Sequence, residues 1–178
     1  PGMKERQLWR EIYEKYAKRM FYICLRYASD KEQAEDMMHD GFLQIFQSLG
    51  SFTDRGEGSL RAWMERVMIN TCLQYLRKRD LLRESVSLDR TAGLFAEAGS
   101  QEELEQAAER IPVPVLHRFI AELPPGYRAV FNLYVFEGWS HKEIAEKLGI
   151  KERTSSSQYH RAKNSLARKI KEYEEQHR

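Results

Sequence analysis

Apolar residues recur at three- and four-residue steps through most of this chain, and that spacing constrains its fold more than any other feature. Leu8, Ile12, Tyr16, Met20, Ile23 and Tyr27 fall on one face of a helix over Arg6–Ala28. Ser29-Asp30 breaks the pattern, and Asp30, with Gln33 behind it, can cap a second helix carrying Ala34, Met38, Phe42, Ile45, Phe46 and Leu49. A polar, glycine-rich loop, Gly50–Ser59, leads to a long third helix with Leu60, Trp63, Met64, Val67, Thr71, Tyr75 and Leu76 inward. Strand-type alternation of Val, Ile and Thr is scarce. The expected fold class is therefore all-α, beginning with a compact N-terminal bundle.

The periodicity lapses once. Ser85–Ser100 has no sustained apolar pattern and contains Gly93 and Gly99; Gln101–Arg110 reads as a short, acidic, exposed helix before Pro112 and Pro114. This organisation predicts two small helical domains, 3–84 and 113–178, joined by a flexible linker over 85–112. In the second, Val115, Leu116, Phe119, Ile120 and Leu123 mark a short helix stopped by Pro124-Pro125-Gly126. Tyr127–Glu137 makes another, with Val130, Leu133 and Tyr134 inward, and Gly138 ends it. Ser140 and Glu143 form a capping box, and Gly149 supplies a left-handed helix end. From Glu152 the chain is helical again, with Ser155, Tyr159, Ala162, Leu166 and Tyr173 on one face.

The formal charge of the 178-residue chain is only +2, yet its distribution is uneven. Arg61–Arg83 and Lys151–Lys171 are basic, while Glu97–Glu109 is acidic, a clustering that suits a polyanionic partner. No apolar run approaches the roughly 20 residues of a membrane span, so no membrane insertion is expected. The N-terminus lacks a signal-peptide pattern, so a cytoplasmic location is expected. Cys24 and Cys72, each within an apolar stripe, read as reduced core thiols, and they are too few for a thiolate zinc site.

Three constellations carry functional information. Ser140–Lys163 describes a helix-turn-helix: Ile144, Ala145 and Leu148 on a short helix, a turn at Gly149-Ile150-Lys151, then a polar-faced second helix. That face offers Arg153, Ser156, Ser157, His160, Arg161 and Asn164 to phosphates and base edges; the plainer reading is a helical hairpin with a solvated basic side. The third helix presents Arg66, Asn70, Gln74 and Arg77 in one stripe, followed by Lys78 and Arg79, and the glycine-rich loop before it allows close approach of an unstacked base. Glu35, Asp36, His39 and Asp40 invite a metal hypothesis, but a di-iron bundle needs a second Glu-x-x-His copy that the chain lacks. No metal or other cofactor is expected. An acidic helix face docking a basic partner, with Phe42 as apolar anchor, fits better.

With those residues in place, AEDMMHDGFLQIF and SFTDRGEGSLRAWMERVMINTCLQYLRKRD resemble the second conserved region of extracytoplasmic-function sigma factors. LPPGYRAVFNLYVFEGWSHKEIAEKLGIKERTSSSQYHRAKNSL resembles their fourth region. The resemblance implies a promoter-recognition subunit that is not an enzyme. Its partners would be core RNA polymerase, promoter DNA and an anti-sigma factor acting in trans, with no small-molecule substrate. It places Asp36, His39, Asp40 and Phe42 against the polymerase. Asp54, Arg55 and Gly56, with Arg66, Asn70, Gln74, Arg77 and Lys78, fall at the minus-ten element. Arg153, Thr154, Ser156, Ser157, His160, Arg161 and Lys163 fall at the minus-thirty-five element. This chain departs from the family at His39, commonly Gln, and at Lys151 and Arg153, commonly Ser and Gly. It departs again at Ser155, usually Val, and at Ser156, often Lys. Two rival classes are a helix-turn-helix regulator with a ligand-sensing bundle, and a helical metalloenzyme using Glu35, Asp36 and His39.

Overall fold

The computed structural model describes residues 2–79, 82 and 100–178, and these divide between two compact helical units, Pro1–Lys78 and Arg79–Arg178. Each unit is built around one helix whose apolar surface is wider than a single stripe.

The first unit contains α1 (Met3–Tyr27), α2 (Lys31–Ser48), a 3₁₀ turn at Leu49–Ser51 and α3 (Ser59–Lys78). Asp30 caps α2 as expected, accepting from the Gln33 amide at 2.8 Å, while the Gln33 side chain accepts from the Ser29 amide. Helix α3 packs on both α1 and α2. Its buried surface accordingly includes Met68, Ile69, Cys72 and Leu73 as well as the expected Met64, Thr71, Tyr75 and Leu76. An ion pair between Arg19 and Glu65 adds a polar tie between α1 and α3.

Two details differ from the simple periodic reading. Leu8 is exposed, and Trp9 turns inward instead, stacking on Phe46 at a centroid distance of 4.9 Å. On α2 the fully buried methionine is Met37, with Met38 at the edge of the packed face. The reason is Gly41, one turn further along. Its missing side chain lets α3 come so close that an added Cβ would lie 2.1 Å from the Met68 sulfur, which rolls the 34–37–41–45 side of α2 into the core. Cys24 and Cys72 are free, buried thiols with sulfurs 3.7 Å apart. Hydrogen bonding with Cys24, then burial, pushes the Cys72 thiol well above its usual range.

The second unit contains α4 (Gln101–Glu109), α5 (Val113–Ala121), α6 (Pro125–Val135), α7 (His141–Leu148) and α8 (Glu152–Gln176). The other four helices all pack on α8. Helix α6 is buried from Gly126 through Leu133. It takes in Arg128, which donates to the Leu123 carbonyl at 2.7 Å and whose pKa burial lowers to about 10. The capping box at Ser140/Glu143 is present, and Gly149 ends α7 at φ +69°.

The segment 101–112, expected as linker, belongs instead with this unit. Helix α4 begins with its own capping box, Ser100/Glu103, and packs on α8. Ile111 is buried, and Arg110 pairs with Glu174 at 3.0 Å. The physical reason is a short apolar edge, Leu104 and Ala107, which two helical turns of glutamates obscure in the sequence. Pro112 and Pro114 likewise start α5 rather than merely ending α4, since proline is suited to a first helical turn. The rest of the expected linker, 85–99, lies outside the described residues.

The close approach of α2 and α3 yields a stability prediction. Gly41→Val should destabilise the first unit by about 2 kcal/mol, because it overpacks a site with no room for branched atoms. Gly41→Ala should lose less, since rotation of Met68 can admit one carbon and alanine gains about 1 kcal/mol of helix propensity. Denaturant unfolding of both variants measures the difference, and equal stability would contradict the tight crossing.

Candidate nucleic-acid interface

In the second unit, Ile144, Ala145 and Leu148 of α7 are buried, as are Ser155, Tyr159 and Ala162 of α8. The crossing leaves Arg153 and His160 exposed, with Thr154, Ser156, Ser157, Arg161 and Lys163 partly exposed. The expected duplex-reading residues thus occupy one end of α8, and Lys163 Nζ lies 4.7 Å from the Tyr159 ring centroid. Lys151 at the N-cap makes no side-chain capping bond, so no capping side chain shields the first amides of α8 from an approaching phosphate.

Ser155 points inward, as its place in the apolar stripe requires. Its hydroxyl lies 2.9 Å from His141 Nδ1, and the His141 ring stacks on Tyr134 at 4.5 Å. Tyr134, expected in the core, is therefore an edge residue that covers this histidine. Burial lowers the His141 pKa, Glu152 opposes that shift and His160 adds to it.

In the first unit, Asp54 organises the loop before α3. Its Oδ1 accepts from the Gly56 amide at 2.9 Å and from the Ser59 hydroxyl at 3.1 Å; Ser59 Oγ accepts in turn from the Arg55 amide. These bonds hold the Asp54 carboxyl below its usual range, the Gly56 amide contributing most. Gly56 and Gly58 have φ of +117° and +81°, a region in which a side chain would be strained. Asp54 thus shapes the loop, while Arg55 and Gly56 form its exposed rim. Beyond it Arg66, Gln74, Arg77 and Lys78 are exposed along α3. Asn70 differs from them: it is half-buried, and its buried Oδ1 has no hydrogen-bond partner.

Helix α2 presents Asp36, His39 and Asp40 to solvent on one side. Phe42 corrects the expectation of a projecting anchor: it is 4% exposed, packed against Tyr13 and Phe46. An aromatic one turn from Met38 on a tightly crossed helix fills the core before it can reach a partner. It reaches this face only as part of a shallow groove shared with Tyr13, Phe21, Asp36, Met38 and His39. Sequence reasoning missed Tyr13, and likewise the exposed Tyr22 and Leu43. The available signal was the presence of aromatic and aliphatic residues off the core stripe. Among the described residues, no three His, Cys, Asp or Glu side chains form a group able to hold a metal ion.

The two units define a helical, two-part DNA-binding factor with a helix-turn-helix in its second part. The profile for Sigma-70 region 2 matches residues 12–81, and that for Sigma-70, region 4 matches residues 115–166. The chain is 26% identical over 157 residues to the ECF RNA polymerase sigma factor SigM of Bacillus subtilis, covering 88% of this chain and 91% of that protein. It is 26% identical to the RNA polymerase sigma factor YlaC of the same organism, over 99% of both. Identity to the ECF RNA polymerase sigma factor SigE of Mycolicibacterium smegmatis is 27%, and there the chain spans 60% of the relative's length. A co-crystal structure of the sigma factor RpoE with the anti-sigma factor NepR from Bartonella quintana shares the fold, with a TM-score of 0.52 at 19% identity. That match covers 91% of this chain and 96% of the other. The chain belongs to the sigma-70 family, within its extracytoplasmic-function group, and is a sigma factor of promoter-specific transcription initiation.

The Asp54 network makes the loop before α3 acid-sensitive in a defined direction. Because the folded pKa is depressed, the loop bonds are fully present above the ordinary value of 3.8 and are lost as pH falls through the lower folded value. The Gly56 amide resonance should therefore titrate with a midpoint below 3.8. A midpoint at or above that value would show that the carboxylate does not hold the loop.

Proposed function

We propose that the first unit docks core RNA polymerase through the acidic face of α2 and opens the minus-ten element along α3. The second unit holds the minus-thirty-five duplex with the start of α8. The observation that carries this reading is the pairing, in one chain, of two helices that are core on one side and cationic-polar on the other. Arg55 and Gly56 with Arg66, Asn70, Gln74, Arg77 and Lys78 receive the melted strand. Arg153, Thr154, Ser156, Ser157, His160, Arg161 and Lys163 contact the upstream duplex.

The division of labour follows from the shapes presented. A long exposed stripe beside a glycine loop suits splayed single-stranded bases, and the half-buried side chain of Asn70 lies along that stripe. Capture of extruded bases offsets an unstacking cost of a few kcal/mol. A helix end projecting from a helix-turn-helix suits an intact major groove. Bond making belongs to the polymerase, so the chain carries no catalytic residue. Its place of action is the cytoplasm, where polymerase and chromosome meet; no described helix is long and apolar enough to cross a membrane. The solved structure of RpoE in complex with an anti-sigma factor supports a partner of that kind for this chain, restraining it by covering one or both of these surfaces.

Docking through α2 predicts that the Asp36→Lys, Asp40→Lys double variant folds but loses polymerase affinity by at least about tenfold, as attraction turns into repulsion. Binding of the same variant to upstream duplex should be unchanged. Undiminished polymerase affinity in the folded protein would remove this face from the interface.

The two DNA surfaces should fail differently. Arg161→Ala should weaken duplex binding and lower the salt slope by about one. Asn70→Ala should reduce open-complex formation while upstream duplex affinity stays intact. Transcription from duplex and pre-melted bubble templates separates them: the bubble should largely rescue Asn70→Ala and rescue Arg161→Ala much less. Equal responses to the bubble would overturn the assignment of melting to α3.

A further inference from the structure

We propose that His141 is a positioning residue for DNA reading: bonded to Ser155 and stacked on Tyr134, its neutral imidazole sets how α8 sits against α6 and α7, and acid pH releases it. The inference rests on the reading of α8 as the duplex-contacting helix. Ser155 is fully buried one turn into α8, a position where a hydroxyl without a partner is unfavourable. The partner comes from the first residue of α7, His141, whose Nδ1 lies 2.9 Å from Ser155 Oγ across the helix-turn-helix. The ring is then held nearly parallel to Tyr134 of α6, with an interplanar angle of 9°. Tyr159 of α8 closes the cluster, its ring centroid 4.5 Å from that of Tyr134 and 5.8 Å from that of His141. One imidazole from α7 therefore meets both α6 and α8 where α8 begins. Thr154 and Ser156, on the proposed DNA face, flank Ser155 directly, and Ser157 follows. A small tilt there displaces every base-reading side chain.

A hydrocarbon in this slot would pack equally well at any pH, whereas an imidazole does not. The groups facing it are Tyr134 from α6 and Glu152, Tyr159 and His160 from α8; Glu105 acts on Tyr159, and Lys163 lies over the Tyr159 ring. Glu152 favours the protonated ring. Burial, His160 and the positive N-terminal end of α7 oppose it. The released side chain takes up its proton near the ordinary value of 6.5 and the docked one only at lower pH. Docking is consequently fully favoured above 6.5 and weakens as pH falls from there toward the docked value.

The test measures affinity of the full chain for a duplex carrying the minus-thirty-five element but no minus-ten element, at about pH 7.5 and about pH 5.5, either side of the histidine range. The proteins are the natural chain, Ser155→Val, His141→Tyr, the double variant, and Arg161→Ala. Each single substitution at the pair should lower affinity about fivefold at the higher pH, and the double variant, with an apolar contact restored, should regain most of it. The natural chain should also lose affinity on acidification by about fivefold relative to the double variant. His160 is common to both, so it cancels in the comparison. Should valine prevent folding, Ser155→Ala gives the same comparison without added bulk. Additive losses in the double variant, or the same acid response with and without the pair, overturn the positioning role while leaving α8 as the DNA helix. No effect of Arg161→Ala on duplex binding would instead show that the underlying reading of α8 is wrong, and the inference would fall with it.

Discussion

A helix can present a fixed row of side chains to DNA only if its opposite side is held rigidly, and both units are arranged around that requirement. In the first, α3 is clamped between α1 and α2, and the clamp depends on Gly41 of α2, where the absence of a side chain admits Met68. That contact fixes the rotation of α3 about its axis. With Met64, Met68, Cys72 and Leu76 inward, Arg66, Gln74 and Arg77 must point out. In the second unit α8 plays both parts along its length: its later turns, with Leu166 and Ile170, are core, while its first turns carry the polar face. The long packed segment steadies the short reading one.

Electrostatics follow the same division. A formal charge of +2 would steer a polyanion weakly if it were spread evenly. Instead the cations are concentrated on α3 and α8, and carboxylates line α2 and α4. The acidic face and the basic stripe are carried by different helices, α2 and α3, so on the proposed reading a basic protein surface and a DNA strand would engage different side chains. Repulsion between DNA and the α2 carboxylates also disfavours the wrong face.

Much of this was legible in the sequence, because the signals were local. Capping at Asp30/Gln33 and Ser140/Glu143 and the left-handed Gly149 are short-range hydrogen-bond and steric effects, and they appear where the residues demand them. Features set by a neighbouring helix were not legible. Periodicity places Met37 and Met38 almost equally well, and only the crossing at Gly41 decides between them. Phe42 looked like an anchor because its acidic neighbours are exposed, but Tyr13 on another helix encloses it. Helix α4 was legible as a helix, but its docking was hidden, because two apolar contacts suffice to seat nine residues when the receiving helix is long and capping bonds hold the first turn. Asn70 fits the exposed stripe by spacing, yet the breadth of the buried α3 surface draws its amide partly inward.

The departures of α8 from its family acquire a common physical sense when its two sides are taken together. Lys151 leaves the first amides of the helix without a side-chain cap, and a phosphate can satisfy those amides at the same place where Arg153 adds charge. Serine at 156 removes a cation from the middle of the face while Lys151 and Arg153 add two at its start, so the positive charge moves toward the helix end. Ser155 gives up apolar burial but gains a directional contact with His141. A hydrogen bond specifies orientation more narrowly than a methyl group does, because its strength falls steeply with angle. On the proposed reading of α8 as the duplex-contacting helix, a more narrowly set orientation then adds to what discriminates one upstream element from another.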